Sequence, residues 1–402
     1  MKVAMANRVL HGHFVYVTNG SISQLTSTPR QETSPYKYSV TAADLPNQHA
    51  FMTHGMLISM ASSNTQRQSR RSPSIGDVAR LAEVSPQTVS RVSTGAPSVR
   101  PQTRAKVIAA MNQLGYTPNK AARALRSGKF GAIGVLTQHM ERTGEALTTA
   151  GVVEVAGEKG YTTTIVQIAD ATEESAETTT RLHNLSVDGL VIVQLGPGKH
   201  DSISFPPGMP ISVSDTRMMN YHPYVVADQT IGTRLAVGHL LSLGHKTIHH
   251  IAGAFDSQPA IVRHAAWQRC LSESGIPAPP VLRGDWSPAS GYQLGIKIAQ
   301  DPNITAIFCA NDEMALGLIR ALSESGRNVP GDVSVVGFDD ISIAGYSTPP
   351  LTTIRQDFHA IGANLARQII KSFEDKLSPE ERQISLPTEL IIRGTTAPPK
   401  NR

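Results

Sequence analysis

Five side chains in the C-terminal two thirds of the sequence have the chemistry needed to bind a polyhydroxylated ligand. Asp215, Asn311 and Asp339 each follow a short apolar run, and Arg263 begins a stretch with helical spacing. Carboxylates accept hydrogen bonds from hydroxyl groups, and an Arg guanidinium donates two parallel bonds to vicinal hydroxyls. The indole of Trp286 offers a flat face to the C–H face of a pyranose. These residue types together predict a sugar site.

Two other interpretations of the same residues stay open. In the first, Arg263 and an Asp form an ion pair that holds two parts of the fold together. In the second, the chain is a carbohydrate enzyme. Asp339 and Asp340 are a poor acid–base pair for glycoside hydrolysis, because neighbouring residues that leave a strand point apart. The sequence also lacks a nucleophile elbow, a phosphate loop and a Cys–His signature, so we expect no catalysis and no cofactor.

Three histidines, His245, His249 and His250, lie close together in the sequence. Their expected positions at a helix end and on a strand favour capping and surface roles over metal binding. Asp and Glu residues at zinc-ligand spacing are missing. We therefore expect no metal site.

The elements that must position the polar set alternate between strand and helix. The expected strands are Ala132–Leu136, Thr163–Gln167, Gly189–Val193, Ile211–Val213, Thr247–Ala252, Ala306–Ala310 and Ser334–Phe338. The expected helices are Leu147–Lys159, Ile231–Leu243, Ile261–Ser274, Ala289–Gln300 and Glu313–Ser325. This alternation predicts two parallel, doubly wound α/β sheets, which bind ligands at the carboxyl ends of their strands.

Composition favours a soluble globular protein. Of the 402 residues, 40% are hydrophobic and 17% are charged, and no apolar run approaches the length that a membrane span needs. The two cysteines, Cys270 and Cys309, stand in apolar stretches, which suggests free buried thiols in a reducing compartment. We expect a cytoplasmic protein without a membrane partner.

The charge is divided unevenly along the chain. Residues 72–128 carry eight Lys or Arg against two Asp or Glu, whereas residues 129–402 carry 22 against 28. A short basic segment beside a mildly acidic body is typical of a nucleic-acid-binding head joined to a domain with another role.

The basic segment has the pattern of three short helices. Ser74–Asp77 has capping-box spacing, Ser85 and Pro86 begin a second helix, and Pro101 and Gly115 bound a third. The buried positions are expected to be Ile75, Val78, Ala79, Ala82, Val89, Val92, Val107, Ile108, Met111 and Leu114. The second helix then exposes Gln87, Thr88, Ser90 and Arg91, whose donors and acceptors suit base edges. This is a helix-turn-helix unit, although a three-helix module for protein contacts has the same pattern.

A basic segment follows from Pro118 to Gly128. It contains helix formers between an Asn cap and a Gly, but two turns are too few for a stable isolated helix. A segment of this kind can fold when it meets DNA.

With these motifs the sequence resembles the lactose/galactose repressor (LacI/GalR) family of bacterial transcription regulators, over residues 74–395. The matching segments are Asp77–Ala79, Val84–Val92, Thr103–Val107, Leu114–Asn119 and Ala122–Arg126. The resemblance implies an α + α/β fold with a helix-turn-helix head, a short hinge helix and a two-subdomain body of the periplasmic-binding-protein type. The domains would be residues 1–71 (a disordered extension), 72–116 (DNA binding), 117–129 (hinge) and 130–402 (effector binding and dimerisation). The subdomains would be 130–227 with 357–385, and 228–354 with 386–393.

The resemblance also implies roles for residues of the head and hinge. Pro86, Gln87 and Arg91 would read bases, with the weight on Gln87 and Arg91 because Pro86 has no donor. Phosphate contacts would come from Ser85, Thr88 and Ser90 and, in the hinge, DNA contacts from Asn119 and Arg123. Leu125 would wedge into a minor-groove step. The sequence departs from the family at Thr94, where Asn is usual, and at Arg100, which replaces a capping Ser and would contact a phosphate instead.

In the body, Asp215, Arg263, Asn311 and Asp339 align with the sugar-binding positions of the lactose repressor branch of the family. Trp286 aligns with its stacking tryptophan. The expected function is a repressor of carbohydrate-utilisation genes in the bacterial cytoplasm, associated with the nucleoid, which a sugar effector releases from a palindromic operator on double-stranded DNA. A co-repressor type, whose ligand strengthens DNA binding, is the alternative. A periplasmic sugar-binding protein would lack the head.

The C-terminal residues bear on the oligomeric state. Residues 394–402 contain two adjacent prolines and no leucine, so they cannot form the leucine-heptad helix that ties two dimers into a tetramer in the lactose repressor branch of the family. We expect a homodimer, since two linked heads bind two half-sites more tightly than one.

Overall fold

A computed structural model of the chain describes residues 72–118, 124, 128–168, 175–194, 203–214, 216–255 and 257–400. The predictions made for residues 1–71 and for Asn119, Arg123, Leu125 and Asp215 lie outside the described residues. The described part comprises a head, residues 72–118, and a body, residues 128–400.

The head consists of α1 (Ile75–Leu81), α2 (Pro86–Ser93) and α3 (Pro101–Leu114). The expected capping box is present, because the Asp77 amide donates to Ser74 Oγ at 3.3 Å and the Ser74 amide donates to Asp77 Oδ2 at 2.9 Å. Ser85 caps α2 by accepting the Thr88 amide at 3.2 Å. Gly115 ends α3 in the left-handed region with φ 65°, a conformation that glycine adopts without strain.

The three helices enclose one small apolar core. Its buried members are Val78, Ala79, Ala82, Val89, Val92, Val107, Ala110 and Met111. The expectation was wrong for Ile75 and Ile108, which are 36% and 45% exposed. Ile75 is the first residue of a helix of only seven residues, and the core covers the next turn. Ile108 follows Val107 directly and so lies about 100° round α3 from the buried stripe.

The body contains a six-stranded parallel sheet with the order β11-β5-β4-β3-β1-β2. Its strands are β1 (Ala132–Thr137), β2 (Thr162–Gln167), β3 (Gly189–Ile192), β4 (Ile211–Val213), β5 (Tyr224–Ala227) and β11 (Gln383–Leu386). Its helices are α4 (Thr143–Glu158), α5 (Ser175–His183) and α10 (Phe358–Ser372). We refer to this part as the first half of the body.

A four-stranded parallel sheet with the order β7-β6-β8-β9 forms the second half. Its strands are β6 (His249–Ala252), β7 (Leu282–Arg283), β8 (Ala306–Cys309) and β9 (Ser334–Val336). Its helices are α6 (Gln229–Ser242), α7 (Gln258–Glu273), α8 (Pro288–Ala299) and α9 (Asp312–Glu324). The short antiparallel pair β10 (Thr353–Arg355) and β12 (Glu389–Ile391) packs against α6.

The chain passes between the halves at three short connections. Asp228 joins β5 to α6, Gln356 and Asp357 join β10 to α10, and Pro387 and Thr388 join β11 to β12. Two of these residues also start helices, because Asp228 accepts the Ile231 amide at 2.8 Å and Asp357 accepts the Ala360 amide at 2.8 Å.

Each half holds one pair of helices in backbone contact. A Cβ added to Gly362 of α10 would lie 1.8 Å from the carbonyl oxygen of Thr148 in α4. In the second half, a Cβ on Gly317 of α9 would lie 2.0 Å from the carbonyl oxygen of Pro288 in α8. Only glycine permits so close an approach at these crossings.

The fold class expected from the sequence is confirmed, since the described residues form a helix-turn-helix head and parallel α/β sheets. Every strand and helix expected in the body occurs, with ends shifted by four residues at most. The helices begin earlier than the apolar periodicity predicts, because their first turns carry polar residues behind caps such as Ser287 and Asn311. The sequence patterns do not predict α5, α10, β5, β7 or β10 to β12.

The expectation of surface roles was wrong for two of the three clustered histidines, His245 and His250. His245 is buried and hydrogen-bonds through its ring to Thr305 and Ser334. His250 is fully buried, donates from Nδ1 to the Phe308 carbonyl at 2.9 Å, and has a pKa lowered to about 3, chiefly by burial. His245 lies in the loop before β6 and His250 lies within β6. The His250 ring packs against Trp267 and Phe308 in the core.

Within the described residues, no helix combines the length and apolar character that crossing a bilayer requires. The same residues contain no group of three or more side chains arranged to hold a metal ion.

Candidate functional site

A cleft of about 450 Å³ lies between the two halves of the body. The first half contributes His139, Glu141 to Glu145, Thr148, Val193, Gln194 and Ser214, and the second half contributes Ser257 to Pro259, Asp285 to Pro288, Asn311 and Asp339. A volume of this size suits a small organic ligand. The loops that line the cleft follow the carboxyl ends of parallel strands, as the sequence predicts.

Arg263 is the buried cation of the cleft. Its side chain is 4% exposed, and its guanidinium lies 3.8 Å from the centre of the Phe338 ring. Nε donates to Gln229 Oε1 at 2.8 Å, Nη1 donates to the Ala310 carbonyl, and Nη2 lies 3.5 Å from Asp339 Oδ1. Burial lowers the pKa of Arg263, and the nearby Asp339 carboxylate opposes that shift.

Arg263 belongs to a closed ring of four side chains. Gln229 Nε2 donates to Gln356 Oε1 at 2.7 Å, and Gln356 Nε2 donates to Asp339 Oδ1 at 2.6 Å. The Asp339–Arg263 contact completes the ring. No sequence signal marks either glutamine, because Gln356 lies in one connection between the halves, Gln229 follows another, and 127 residues separate them. The ring fixes the Arg263 and Asp339 side chains before any ligand arrives.

Asp339 follows β9 in a strained backbone conformation, with φ 114°. The pKa of Asp339 is raised to about 7, chiefly by burial and also by the neighbouring Glu313, although Arg263 and the Gln356 hydrogen bond oppose the shift. This carboxyl group therefore changes its charge near neutral pH.

Asn311 is the N-cap of α9 and accepts the Met314 amide at 3.0 Å. Its amide nitrogen donates to the Trp286 carbonyl at 2.9 Å and to Glu313 Oε2 at 2.8 Å. Because an amide nitrogen carries two hydrogens, both donors of Asn311 are engaged. A ligand that requires a donor from Asn311 must replace one of these acceptors.

Trp286 also has a left-handed backbone, with φ 78°. Its indole packs on Gly253, where an added Cβ would lie 2.2 Å from the ring. The indole Nε1 is buried and finds no hydrogen-bond partner among the described residues. The ring lies beside Arg263, whose guanidinium carbon is 5.7 Å from the ring centre.

Asp312, the first residue of α9, and Asp340, which follows Asp339, serve the fold. Asp312 is fully buried and accepts Thr353 Oγ1 at 2.5 Å and the Ile341 amide at 2.9 Å. Asp340 pairs with Arg355 at 2.8 Å and Arg393 at 2.6 Å. The side chains of Asp339 and Asp340 thus face different partners, in agreement with the sequence analysis.

The alternative interpretation was that Arg263 and an Asp form an ion pair that holds two parts of the fold together. The ion pair with Asp339 is present, but it does not lie between the two halves. Arg263 lies on α7 and Asp339 follows β9, and both elements belong to the second half. The pair therefore does not join the two halves.

Most side chains of the head that were predicted to meet DNA lie at its surface. Ser85, Pro86, Gln87, Arg91 and Arg100 are exposed, and Thr88 and Ser90 are half-buried. The Ser85 and Thr88 hydroxyls lie 3.0 Å apart and hydrogen-bond to each other. Arg100 occupies the N-cap position of α3 without a side-chain capping bond.

Comparisons with known proteins cover most of the chain. The family model for bacterial regulatory proteins of the lacI family matches residues 74–119, and a model for periplasmic binding protein-like domains matches residues 237–396. The chain is 34% identical to the lactose operon repressor of Escherichia coli strain K12 over 336 residues, which are 81% of this chain and 91% of that protein. It is 32% identical to the HTH-type transcriptional repressor PurR of Pasteurella multocida over 325 residues, which are 79% and 97% of the two chains.

Solved structures resemble the chain over similar lengths. A crystal structure of the lac repressor dimer bound to operator and the anti-inducer ONPF has a TM-score of 0.73 and 32% identity, and the match covers 81% of this chain and 100% of that one. A complex of the transcriptional regulator CelR with cellobiose has a TM-score of 0.61 and 27% identity, covering 80% and 99%.

Proposed function

The chain belongs to the lacI family of bacterial regulatory proteins, and from this premise we propose that it is a DNA-binding repressor which a sugar releases from a palindromic operator. The family members that it resembles are transcriptional regulators and not enzymes. We place its action in the bacterial cytoplasm, at the nucleoid.

The head supplies the DNA contacts in this proposal. Gln87 and Arg91 stand exposed on α2, with the donors and acceptors that major-groove base edges require. Pro86 borders the same face. Phosphates are held by Ser85, Thr88, Ser90 and Arg100, and the hinge residues Asn119, Arg123 and Leu125 complete the contacts, with Leu125 as a minor-groove wedge.

The ring of Arg263, Gln229, Gln356 and Asp339 is the observation that carries the sugar proposal. It holds a guanidinium and a carboxyl group in fixed positions in a cleft, which is the preorganisation that recognition of vicinal hydroxyls requires. Asn311 and Trp286 lie beside the ring, and we assign Asp215 to the same site. The lac repressor structures that the chain resembles carry ONPF or ONPG.

The proposed mechanism is a shift between two arrangements of the halves. A sugar that contacts both sides of the cleft favours one arrangement, and that arrangement spaces the two heads of a dimer wrongly for the operator. Dimerisation through the body links the two heads. The lac repressor structure that the chain resembles is a dimer bound to operator.

A two-step experiment tests the proposal. Selection from random DNA with the purified full chain identifies the operator, which we expect to be a palindrome. A thermal-shift screen with ribose, cellobiose, lactose, ONPG and ONPF identifies a ligand, which is then added to the operator complex. Release of DNA supports the proposal, tighter binding indicates a co-repressor, and a screen in which no sugar raises the unfolding temperature contradicts sugar recognition.

A further inference from the structure

Glu145 brings a buried carboxylate into the cleft from the first half of the body. It is the third residue of α4, lines the cleft, and is 4% exposed. The residues assigned above to the sugar lie mostly in the second half. Glu145 therefore stands on the side of the cleft that has few assigned contacts.

One oxygen of this carboxylate is fully engaged. Oε2 accepts the Thr137 hydroxyl at 2.5 Å, the Gln138 amide at 3.0 Å and the His139 amide at 2.8 Å. These three donors come from the end of β1 and the loop after it, so they fix the orientation of the whole carboxylate.

The other oxygen is not satisfied. Oε1 is buried and has no hydrogen-bond partner among the described residues. A buried acceptor without a donor is costly, and native proteins rarely keep one without a reason. The three bonds to Oε2 hold Oε1 in place despite this cost.

We propose that Glu145 is a ligand contact, whose Oε1 accepts a hydrogen bond from a donor group on the effector. The inference rests on the proposed function, since it adds a residue of the first half to that site. The donor is a sugar hydroxyl or a sugar ammonium group. An ammonium suits the local charge, because the carboxyl groups of Glu313 and Asp339 line the same cleft as Glu145.

Glu145→Gln is the informative variant. The amide oxygen retains the acceptor for Thr137 and the two backbone amides, while the amide nitrogen presents a donor where the ligand also presents a donor. Glu141→Gln is the matched control, because Glu141 lines the same cleft with an exposed carboxylate that pairs with His139 at 2.8 Å. The control removes the same charge without touching an unpartnered atom.

Calorimetry on the full-length dimer compares the three proteins with galactose, galactosamine, glucose, glucosamine, ribose, cellobiose and ONPG. We expect E145Q to weaken the bound sugar about ten- to a hundredfold, as for the loss of a charge-assisted hydrogen bond, and E141Q to weaken it less than threefold. An ammonium donor is identified if the amino sugar binds more tightly than its neutral parent and E145Q abolishes that preference. A hydroxyl donor is identified if E145Q weakens the binding of the neutral sugar.

Two results overturn the inference alone. One is equal sugar affinity in the wild type and E145Q. The other is a fall of more than about 5 °C in the unfolding temperature of E145Q without sugar, which would assign Oε1 a purely structural role. If no sugar binds the wild type, the proposed function fails first and the inference fails with it.

Discussion

The hydroxyl of Thr143 donates a hydrogen bond of 2.6 Å to Glu313 Oε1. Thr143 is the first residue of α4 and Glu313 is the second residue of α9, so the bond joins the two halves of the body across the cleft. The other Glu313 oxygen accepts the Asn311 amide at 2.8 Å. One carboxylate thus links the first half to a proposed sugar contact.

Thr143→Val removes this link and preserves side-chain shape. We expect faster amide hydrogen exchange in the first turns of both α4 and α9, and a loss of about 0.5–1.5 kcal/mol in the free energy of unfolding. Thr162→Val is the control, because Thr162 bonds the Gly131 carbonyl at 3.2 Å within one half. Faster exchange in α9 for both variants would show that the effect does not pass through the cleft.

Asp339 makes stability depend on pH. Its pKa of about 7 in the folded protein lies above the ordinary value of 3.8, so the folded chain holds a proton that the unfolded chain releases between about pH 4 and 7. The free energy of unfolding therefore decreases as the pH rises through this range. Asp339→Asn removes the dependence, and we expect its unfolding temperature, relative to the wild type, to be higher at pH 8 than at pH 5. An offset that is the same at both pH values would exclude this titration.

Gly362→Ala tests the contact between α4 and α10. The new methyl group would lie 1.8 Å from the Thr148 carbonyl oxygen, so the helices must separate, at a cost of about 1–3 kcal/mol. Gly157→Ala in α4 meets nothing within 4 Å and should stabilise the protein by up to about 1 kcal/mol, because alanine is the better helix former. Urea unfolding of both variants measures the difference, and equal signs would contradict it.

Substitutions at Gln87 and Arg100 in the head should change DNA binding in two different ways. Gln87→Ala should relax base preference, because a base-reading amide is lost. Arg100→Ala should weaken binding to all sequences and reduce the slope of log affinity against log salt by about one. Anisotropy titrations on operator and random DNA over a salt series distinguish them. Uniform scaling of affinity in both variants would reject the assignment of Gln87.

Arg263→Lys tests the sugar site without removing its charge. A lysine ammonium cannot reproduce the planar contacts to Gln229, Ala310 and Asp339, so we expect at least a tenfold loss in sugar affinity. Operator affinity without sugar should stay within twofold of the wild type. Arg234→Lys, at an exposed pair with Glu273, is the control and should change neither property. Unchanged sugar affinity in R263K would exclude the ring as the binding element.

Local signals in the sequence predicted the parts of the structure that depend on local chemistry. The capping box at Ser74, the cap at Ser85 and the glycine stop at Gly115 involve groups a few residues apart, and the structure contains all three. Short apolar runs located the core strands because burial on both faces leaves them no polar positions.

Contacts between distant segments were not predictable in the same way. Gln229 and Gln356 are 127 residues apart in the sequence, and only the folded chain brings them into contact. Thr143 and Glu313 are separated by 170 residues. A glutamine beside a strand has no distinctive spacing, and helix α10 returns to the first half only after the chain has crossed twice. The sequence therefore indicated the charged residues of the proposed sugar site and missed the glutamines that position them.

The glycine contacts between α4 and α10, and between α8 and α9, determine where the body can bend. Helices in contact at their backbones have no layer of side chains between them that could rearrange. Each half is therefore expected to move as a rigid body. Bending between the halves is then confined to the three connections, which are Asp228, Gln356 with Asp357, and Pro387 with Thr388. Gln356 also belongs to the ring around Arg263. A ligand that displaces the ring in the cleft would therefore also displace Gln356, which is part of a connection between the halves.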